Sequence, residues 1–175
     1  MNRPFNGPFG ALVLSGALAL ACSSSATSAR AEEPAWLDVN GPGVWRLVVS
    51  PYSLHFRPSE EHEYVWGIGA ERQHDNGWLW GGVYFSNSFG QDSGYLYLGQ
   101  RYPGIFGTPP LFFQWSAGLL YGYKGKYEDK VPLNNGGLSP GAVVSLGWRF
   151  DHQTSAQLNL LGDAALMLQL SFDFR

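Results

Sequence analysis

Two short stretches of this sequence carry side chains that could do chemistry. His55 lies in "LHFR", and Ser88 lies in "FSNSF" directly after Asn87. Imidazole titrates near neutral pH and often serves as a general base, and a serine hydroxyl beside such a base can act as a nucleophile. The two stretches are far apart in the chain, so a joint site depends on the elements that position them.

Composition indicates what those elements are. Only 14% of the 175 residues are charged, against about a quarter in soluble domains, whereas 15% are aromatic and 23 are glycine. Such a chain has too few charges to cover a water-facing surface, and no segment after residue 31 is long and apolar enough to cross a bilayer as a helix. A membrane β-barrel satisfies both constraints. The net charge of −3 and the lack of a basic cluster argue against nucleic acid as a partner.

The N-terminus has the features of a secretory signal peptide. Arg3 precedes an apolar run over residues 11–21, which is shorter than the roughly 20 residues of a transmembrane helix. Ala29-Arg30-Ala31 then has the small-x-small form of a cleavage site. We therefore predict a signal peptide over residues 1–31 and a barrel domain over residues 32–175. Lipoprotein processing at Cys22, the chain's one cysteine, is the open alternative.

Alternation with a period of two predicts the strands. The last strand is the clearest, because five successive outward positions are apolar, which a soluble barrel of lipocalin type would not expose. Asn76-Gly77 predicts a tight turn. We expect an all-β fold, an eight-stranded antiparallel up-and-down transmembrane β-barrel of outer-membrane type, acting as a monomer. The predicted strands cover residues 46–57, 64–72, 78–88, 95–102, 113–121, 142–150, 153–160 and 166–175.

Barrel topology predicts that the two reactive stretches meet. If both termini lie on the periplasmic side, odd-numbered strands run outward, and the first and third strands end at the same rim. Outward-facing neighbours on the first strand imply that His55 and Arg57 face inward. On the third strand, outward Val83 and Phe85 would direct Ser88 inward. A histidine and a serine in the mouth of a barrel can act as base and nucleophile, or can activate a lipid hydroxyl by hydrogen bonding.

The predicted lumen is lined by small residues. An eight-stranded barrel has an interior just wide enough for side chains, so glycines would leave room for something slim, such as an acyl chain. The alternative is that glycines only let the strands bend. In either case a general porin is disfavoured, because water-filled channels need about twice as many strands. The inward positions are Gly67, Gly69, Gly82, Ser116, Gly118, Ser145 and Gly147.

Three stretches, "LHFR", "FSNSF" and "KVPLNNGGLSPGAVVSLGW", resemble the lipid A palmitoyltransferases (PagP-like) of Gram-negative outer membranes. The resemblance implies an eight-stranded barrel that moves an acyl chain from a phospholipid to lipid A, without metal or cofactor. It implies catalytic roles for His55 and Ser88, with Asn87 at the position of the family's aspartate. Pro132 and Pro140 would interrupt strand pairing and admit lipid sideways, although both could instead lie in a long outer loop. Arg57 and Gly118 would contact the substrate.

The same residues are also compatible with other functions. The chain could be a non-catalytic barrel that binds lipid, supports the envelope or passes a small solute. Ser86-Asn87 also suggests a lipid A deacylase, but Tyr84 occupies the position of that family's histidine. The acidic stretch 60–63, which includes His62, predicts a solvated loop, with binding of divalent ions as the alternative. No metal-ligand spacing, phosphate-binding loop or nucleotide motif is present in the sequence.

Overall fold

Eight antiparallel strands close into one barrel in the computed structural model, which describes residues 41–174. Each strand pairs with the next one in sequence, and β8 pairs with β1. The predicted signal peptide and Cys22 lie outside the described residues. All eight predicted strands are present, with ends that differ by a few residues. The strands are β1 (Gly43–His55), β2 (Gly67–His74), β3 (Trp78–Ser86), β4 (Asp92–Pro103), β5 (Leu111–Tyr121), β6 (Leu138–Arg149), β7 (Thr154–Leu161) and β8 (Ala165–Phe174).

The connections define two ends of the barrel. We call the end at which β1 begins the inner end, and the end at which β1 finishes the outer end. The inner end has a tight turn at Gly77, whose amide donates to the His74 carbonyl at 3.0 Å, as Asn76-Gly77 predicted. The outer end has the longer connections, over residues 56–66, 87–91 and 122–137, and the short connection over residues 162–164. Residues 41–174 contain no helix of the length and apolarity needed to cross a membrane.

The outward face is apolar, as expected of strands that contact lipid. On β5, β6 and β8 the outward and inward sets are those that alternation predicted. Aromatic rings pack against one another on this face, for example Trp45 on Trp80 with centroids 5.4 Å apart and Trp66 on Tyr84 at 5.8 Å. Exposed outward residues include Leu47, Ile68, Leu96, Leu119, Val144, Leu146, Leu158, Phe172 and Phe174.

The predicted orientation of β3 is wrong. Tyr84 is 47% exposed and faces outward, so Val83 and Phe85 line the lumen. Gly82 also faces outward, against the exposed side chain of Leu96, and Gly81 takes its place inside. The physical reason is local: two glycines are followed by three consecutive apolar residues, so the middle of this strand has no polar residue whose position would fix its parity.

A layer of buried polar side chains fills the inner half of the lumen. Glu71 is 0% exposed and accepts hydrogen bonds from Arg46 at 2.8 Å and Tyr97 at 3.1 Å. Arg46 also pairs with Asp173. A second chain of bonds runs from Arg101 to Gln114 at 2.8 Å and continues around the wall. We call this layer the polar floor; it comprises Arg46, Glu71, Tyr97, Arg101, Gln114, Gln157, Asn159, Gln169, Ser171 and Asp173.

The outer half of the lumen is lined mainly by apolar side chains. The apolar residues face inward yet are only half-buried, whereas Glu71, Arg101 and Gln169 in the floor are at most 6% exposed. The ring of Tyr95 also lies at this level, beside Gly141, and the side chains of Ser93 and Ser139 are buried there. We call this region the outer chamber. Its walls are Val83, Phe85, Leu120, Val143, Leu161 and Met167, with Gly67, Gly69, Gly118 and Gly141 between them.

The glycines at both levels of the lumen lie against neighbouring atoms. Beside Gly147, at floor level, the ring of Phe112 occupies the space that a side chain would take, and the ring of Tyr95 lies beside Gly141 in the outer chamber. At Gly69 and Gly118 a Cβ atom would meet the backbone of the adjacent strand. From Ala165 at the rim to Gln169 in the floor, a strand rise of about 3.3 Å per residue and a tilt of about 40° give a depth of about 10 Å. A ligand that enters from the outer rim would have about this depth above the floor.

Candidate functional site at the outer rim

His55 is the last residue of β1 and faces the lumen, as predicted. Its outward neighbours, Tyr52 and Leu54, are both about half exposed. A β-bulge between Val49 and Tyr52 shifts the register against β8, and Pro51 lies within it. The bulge changes the parity of β1, so that the odd-numbered residues after it point inward.

Arg57 does not face inward, contrary to prediction. β1 ends at His55, and Arg57 lies in the following loop with 85% of its side chain exposed. Its guanidinium lies 3.4 Å from the Asp163 carboxylate in the connection between β7 and β8. An exposed pair of this kind contributes little to stability, so Arg57 is available to an anionic group at the membrane surface.

Ser88 lies beyond the end of β3 and is 6% exposed. Its side chain lies beside the Tyr123 side chain, and its carbonyl accepts from the Glu63 amide at 2.9 Å. Burial raises the pKa of the Tyr123 hydroxyl, and the neighbouring Ser88 hydroxyl opposes that shift. Tyr123 is held with a positive φ of 28°, and Asn134 donates to its carbonyl at 2.8 Å. Nothing in the sequence pattern indicated Tyr123 as the partner of Ser88.

Asn87 stabilises the conformation of the loop between β3 and β4. It is 0% exposed, and its side-chain oxygen accepts from the amides of Phe89 at 2.9 Å and Gln91 at 3.1 Å. Its own carbonyl accepts from the Gly90 amide at 3.0 Å. Among the contacts of residues 41–174, those of Asn87 stay within this loop. Asn87 therefore fixes the backbone on either side of Ser88 and does not orient an imidazole.

A row of rings connects His55 to the loop that contains Ser88. The His55 and His62 rings are 4.3 Å apart, and His62 lies 5.5 Å from Phe89, the residue after Ser88. Phe89 in turn stacks on Tyr127 with centroids 4.0 Å apart. The structure thus brings both predicted reactive stretches to one rim, but places His62 between them. His62 was assigned to a solvated loop because its neighbours in sequence are glutamates.

Strand pairing is incomplete at two places in the outer half of the wall. β1 pairs with β2 only as far as Ser50, which leaves residues 51–55 without a partner on that side. Likewise, β6 pairs with β7 only from Val144 onward, so residues 138–143 have no β7 partner. Pro51 lies in the first unpaired stretch and Pro140 in the second, and neither has an amide hydrogen to donate. We call these two stretches the lateral gaps.

The two predicted lipid-entry prolines have different positions. Pro140 lies within β6, opposite Leu119 of β5, and is exposed on the lipid-facing side. Pro132 lies in the connection between β5 and β6 and is also exposed. The loop interpretation therefore holds for Pro132 alone, and Pro140 marks a lateral gap.

Gly118 lies in the chamber wall at a close approach of β4 and β5. A Cβ atom here would overlap the Leu96 carbonyl oxygen and lie 2.7 Å from the Tyr97 Cα atom. We expect Gly118→Ala to lower the free energy of unfolding by about 1–3 kcal/mol, because the strands would have to separate. Urea unfolding in lipid vesicles measures this. Gly94→Ala is the control, since the nearest neighbour of its Cβ atom would be 3.8 Å away. Equal losses of unfolding free energy in the two variants would contradict the packing role of Gly118.

Comparisons with known proteins identify the fold of this chain but not its function. No protein-family model matches the chain, and no curated protein matches it in sequence. Among solved structures, a chain from the de novo design of transmembrane β-barrels is similar, with a TM-score of 0.53 and 14% sequence identity. The match covers 76% of this chain and 97% of the designed one. At this identity the similarity concerns the transmembrane barrel architecture alone.

Proposed function

We propose that this protein is an outer-membrane acyltransferase that moves a fatty acyl chain from a phospholipid to lipid A. The observation that carries the proposal is the outer chamber, a half-buried and mostly apolar part of the lumen that lies above the polar floor and is bordered by two lateral gaps. The rim above it holds His55 and Ser88. Phospholipid and lipid A would be its partners in the outer membrane of a Gram-negative bacterium, and it would act as a monomer without a cofactor.

The chamber suits the hydrocarbon part of such a substrate. Each methylene moved from water into an apolar site contributes about 0.8 kcal/mol, so an apolar chamber favours a tail over a polar solute. A lipid that moves sideways from the bilayer also keeps its tail out of water throughout. The lateral gaps lie at the level of the chamber, where no ladder of hydrogen bonds would have to break to admit it.

The rim supplies groups suited to acyl transfer. A hydroxyl of lipid A attacks the ester carbonyl of the phospholipid, and an imidazole of the rim accepts its proton. The hydroxyls of Ser88 and Tyr123 can donate hydrogen bonds to the oxygen that becomes negative in the transition state. Collapse of the intermediate breaks the old ester bond, and the lysophospholipid leaves with the proton. Arg57, exposed at the rim, can pair with a phosphate of either lipid.

Mass spectrometry of lipid A tests the proposal. Cells that make the wild type should contain lipid A with one added acyl chain, and replacing both rim histidines, His55 and His62, by alanine should reduce this species at least 100-fold, as expected for loss of acid–base catalysis. His152→Ala is the matched control, because His152 is exposed in the inner-end turn between β6 and β7. Folding of each variant is checked by heat-dependent mobility on gels. Unmodified lipid A in cells with folded wild-type barrel would refute the proposal.

A non-catalytic barrel is the second candidate. It is favoured by Asn87, which has an amide where the resembled family has a carboxylate and whose side chain is used within its own loop. Such a barrel would bind lipid or support the envelope, and the filled floor argues against passage of solutes. This reading predicts unchanged lipid A together with lower resistance to detergents when the gene is deleted.

A further inference from the structure

His62 lies at the outer rim, in the stretch that was predicted to be a solvated loop. It is half-buried, and its Nδ1 atom is buried without a hydrogen-bond partner among the described residues. Buried polar atoms are nearly always paired, so an unpaired one indicates a position that a ligand's polar group can fill. Its ring lies between those of His55, at 4.3 Å, and Phe89, at 5.5 Å.

The backbone next to His62 is fixed against the Ser88 loop. The Glu63 amide donates to the Ser88 carbonyl at 2.9 Å, and the Glu63 side chain lies beside Gly90. The His62 amide donates to the Ser59 carbonyl at 3.0 Å, which forms a turn within the connection between β1 and β2. The backbone at His62 is thus held against the Ser88 loop and its ring contacts Phe89 of that loop, whereas the ring of His55 contacts that of His62.

We propose that His62 is the residue that accepts the proton in acyl transfer, and that His55 is a positioning residue stacked against it. This assignment rests on the proposed function. As the lipid A hydroxyl oxygen bonds to the acyl carbonyl carbon, its proton moves to Nδ1 of neutral His62. When the ester bond to the phospholipid glycerol breaks, the departing oxygen takes that proton. His62 returns to its neutral form, and no other reactant is consumed.

The pair lies among charged groups of both signs. Lys126 lies 3.8 Å from Glu61, Arg57 lies 3.4 Å from Asp163, and Glu63 faces Gly90. Lys130 lies 5.8 Å from the Phe89 ring centre.

Two matched substitutions test which histidine takes the proton. Phenylalanine keeps an aromatic ring but cannot accept a proton, so His62→Phe should lower acyl transfer at least 100-fold. His55→Phe should retain transfer to within about tenfold, because the stack is preserved. Purified, refolded protein is assayed with phospholipid and lipid A in detergent micelles, and heat-dependent mobility confirms folding.

The pH profile adds a readout that a purely structural role would not move. The acid limb of the rate profile should persist in His55→Phe, because His62 remains to accept the proton, and should be absent from any residual transfer by His62→Phe. Near-normal transfer by folded His62→Phe, loss of transfer in His55→Phe alone, or an acid limb that persists in His62→Phe would each overturn the assignment. If folded wild type transfers no acyl chain, the proposed function itself fails and this assignment falls with it, whereas an active wild type with an active His62→Phe refutes only the assignment.

Discussion

Glu71→Ala is expected to lower the free energy of unfolding by about 3–5 kcal/mol, since breaking a buried ion pair leaves its partner charged and unpaired. Glu71 is fully buried and accepts hydrogen bonds from Arg46 at 2.8 Å and from Tyr97 at 3.1 Å. Gln114 links it to Arg101, whose Nη1 atom already lacks a partner. Removing the carboxylate therefore leaves two guanidinium groups in the lumen with Asp173 as the remaining acid of the floor.

Urea unfolding of the barrel in lipid vesicles measures this loss. Glu71→Gln should fall between wild type and alanine, because the amide oxygen still accepts hydrogen bonds but the charge is gone. Glu61→Ala is the matched control, since Glu61 is exposed and lies 3.8 Å from Lys126, and it should change stability by less than about 0.5 kcal/mol. Similar losses for Glu61→Ala and Glu71→Ala would mean that the floor does not stabilise the barrel.

The strands could be predicted from sequence wherever one face is polar. On β8, Met167, Gln169, Ser171 and Asp173 alternate with apolar residues, and the structure has the predicted faces. β3 lacks such markers before Ser86 at its outer end, and its parity was predicted wrongly. A period of two fixes which residues share a face, but assigning that face to lipid or lumen requires a polar residue on it.

The contacts across the lumen could not be predicted, because they depend on how far the strands are staggered when the barrel closes. Glu71 of β2 lies opposite Arg46 of β1, but Asp173 of β8 reaches Arg46 only because closure pairs β8 with β1. The rim is a similar case. His55 was predicted to face inward, but the placement of His62 beside it depends on the path of the loop over residues 56–66, which alternation does not describe.

Filling the outer chamber is the second change with a large expected effect. Val143 faces the chamber from β6, and Val144, its neighbour in sequence, is 44% exposed to lipid. Tryptophan at residue 143 would occupy space that the acyl chain needs. If about four methylenes of the acyl chain are excluded from the chamber, the binding free energy of the acyl chain weakens by about 3 kcal/mol. This corresponds to a loss of transfer on the order of 100-fold at limiting substrate.

The two valines make the comparison specific to the lumen. Val143→Trp and Val144→Trp introduce the same side chain one residue apart, and the second adds an aromatic ring to a face that already contacts lipid. Acyl transfer and the length of the transferred chain are read from the mass of the product lipid A. We expect Val143→Trp to transfer slowly and to favour shorter chains, while Val144→Trp resembles wild type. Unchanged transfer by folded Val143→Trp would mean that the acyl chain is held elsewhere, because a ring of that size cannot share a space about 10 Å deep with a long tail.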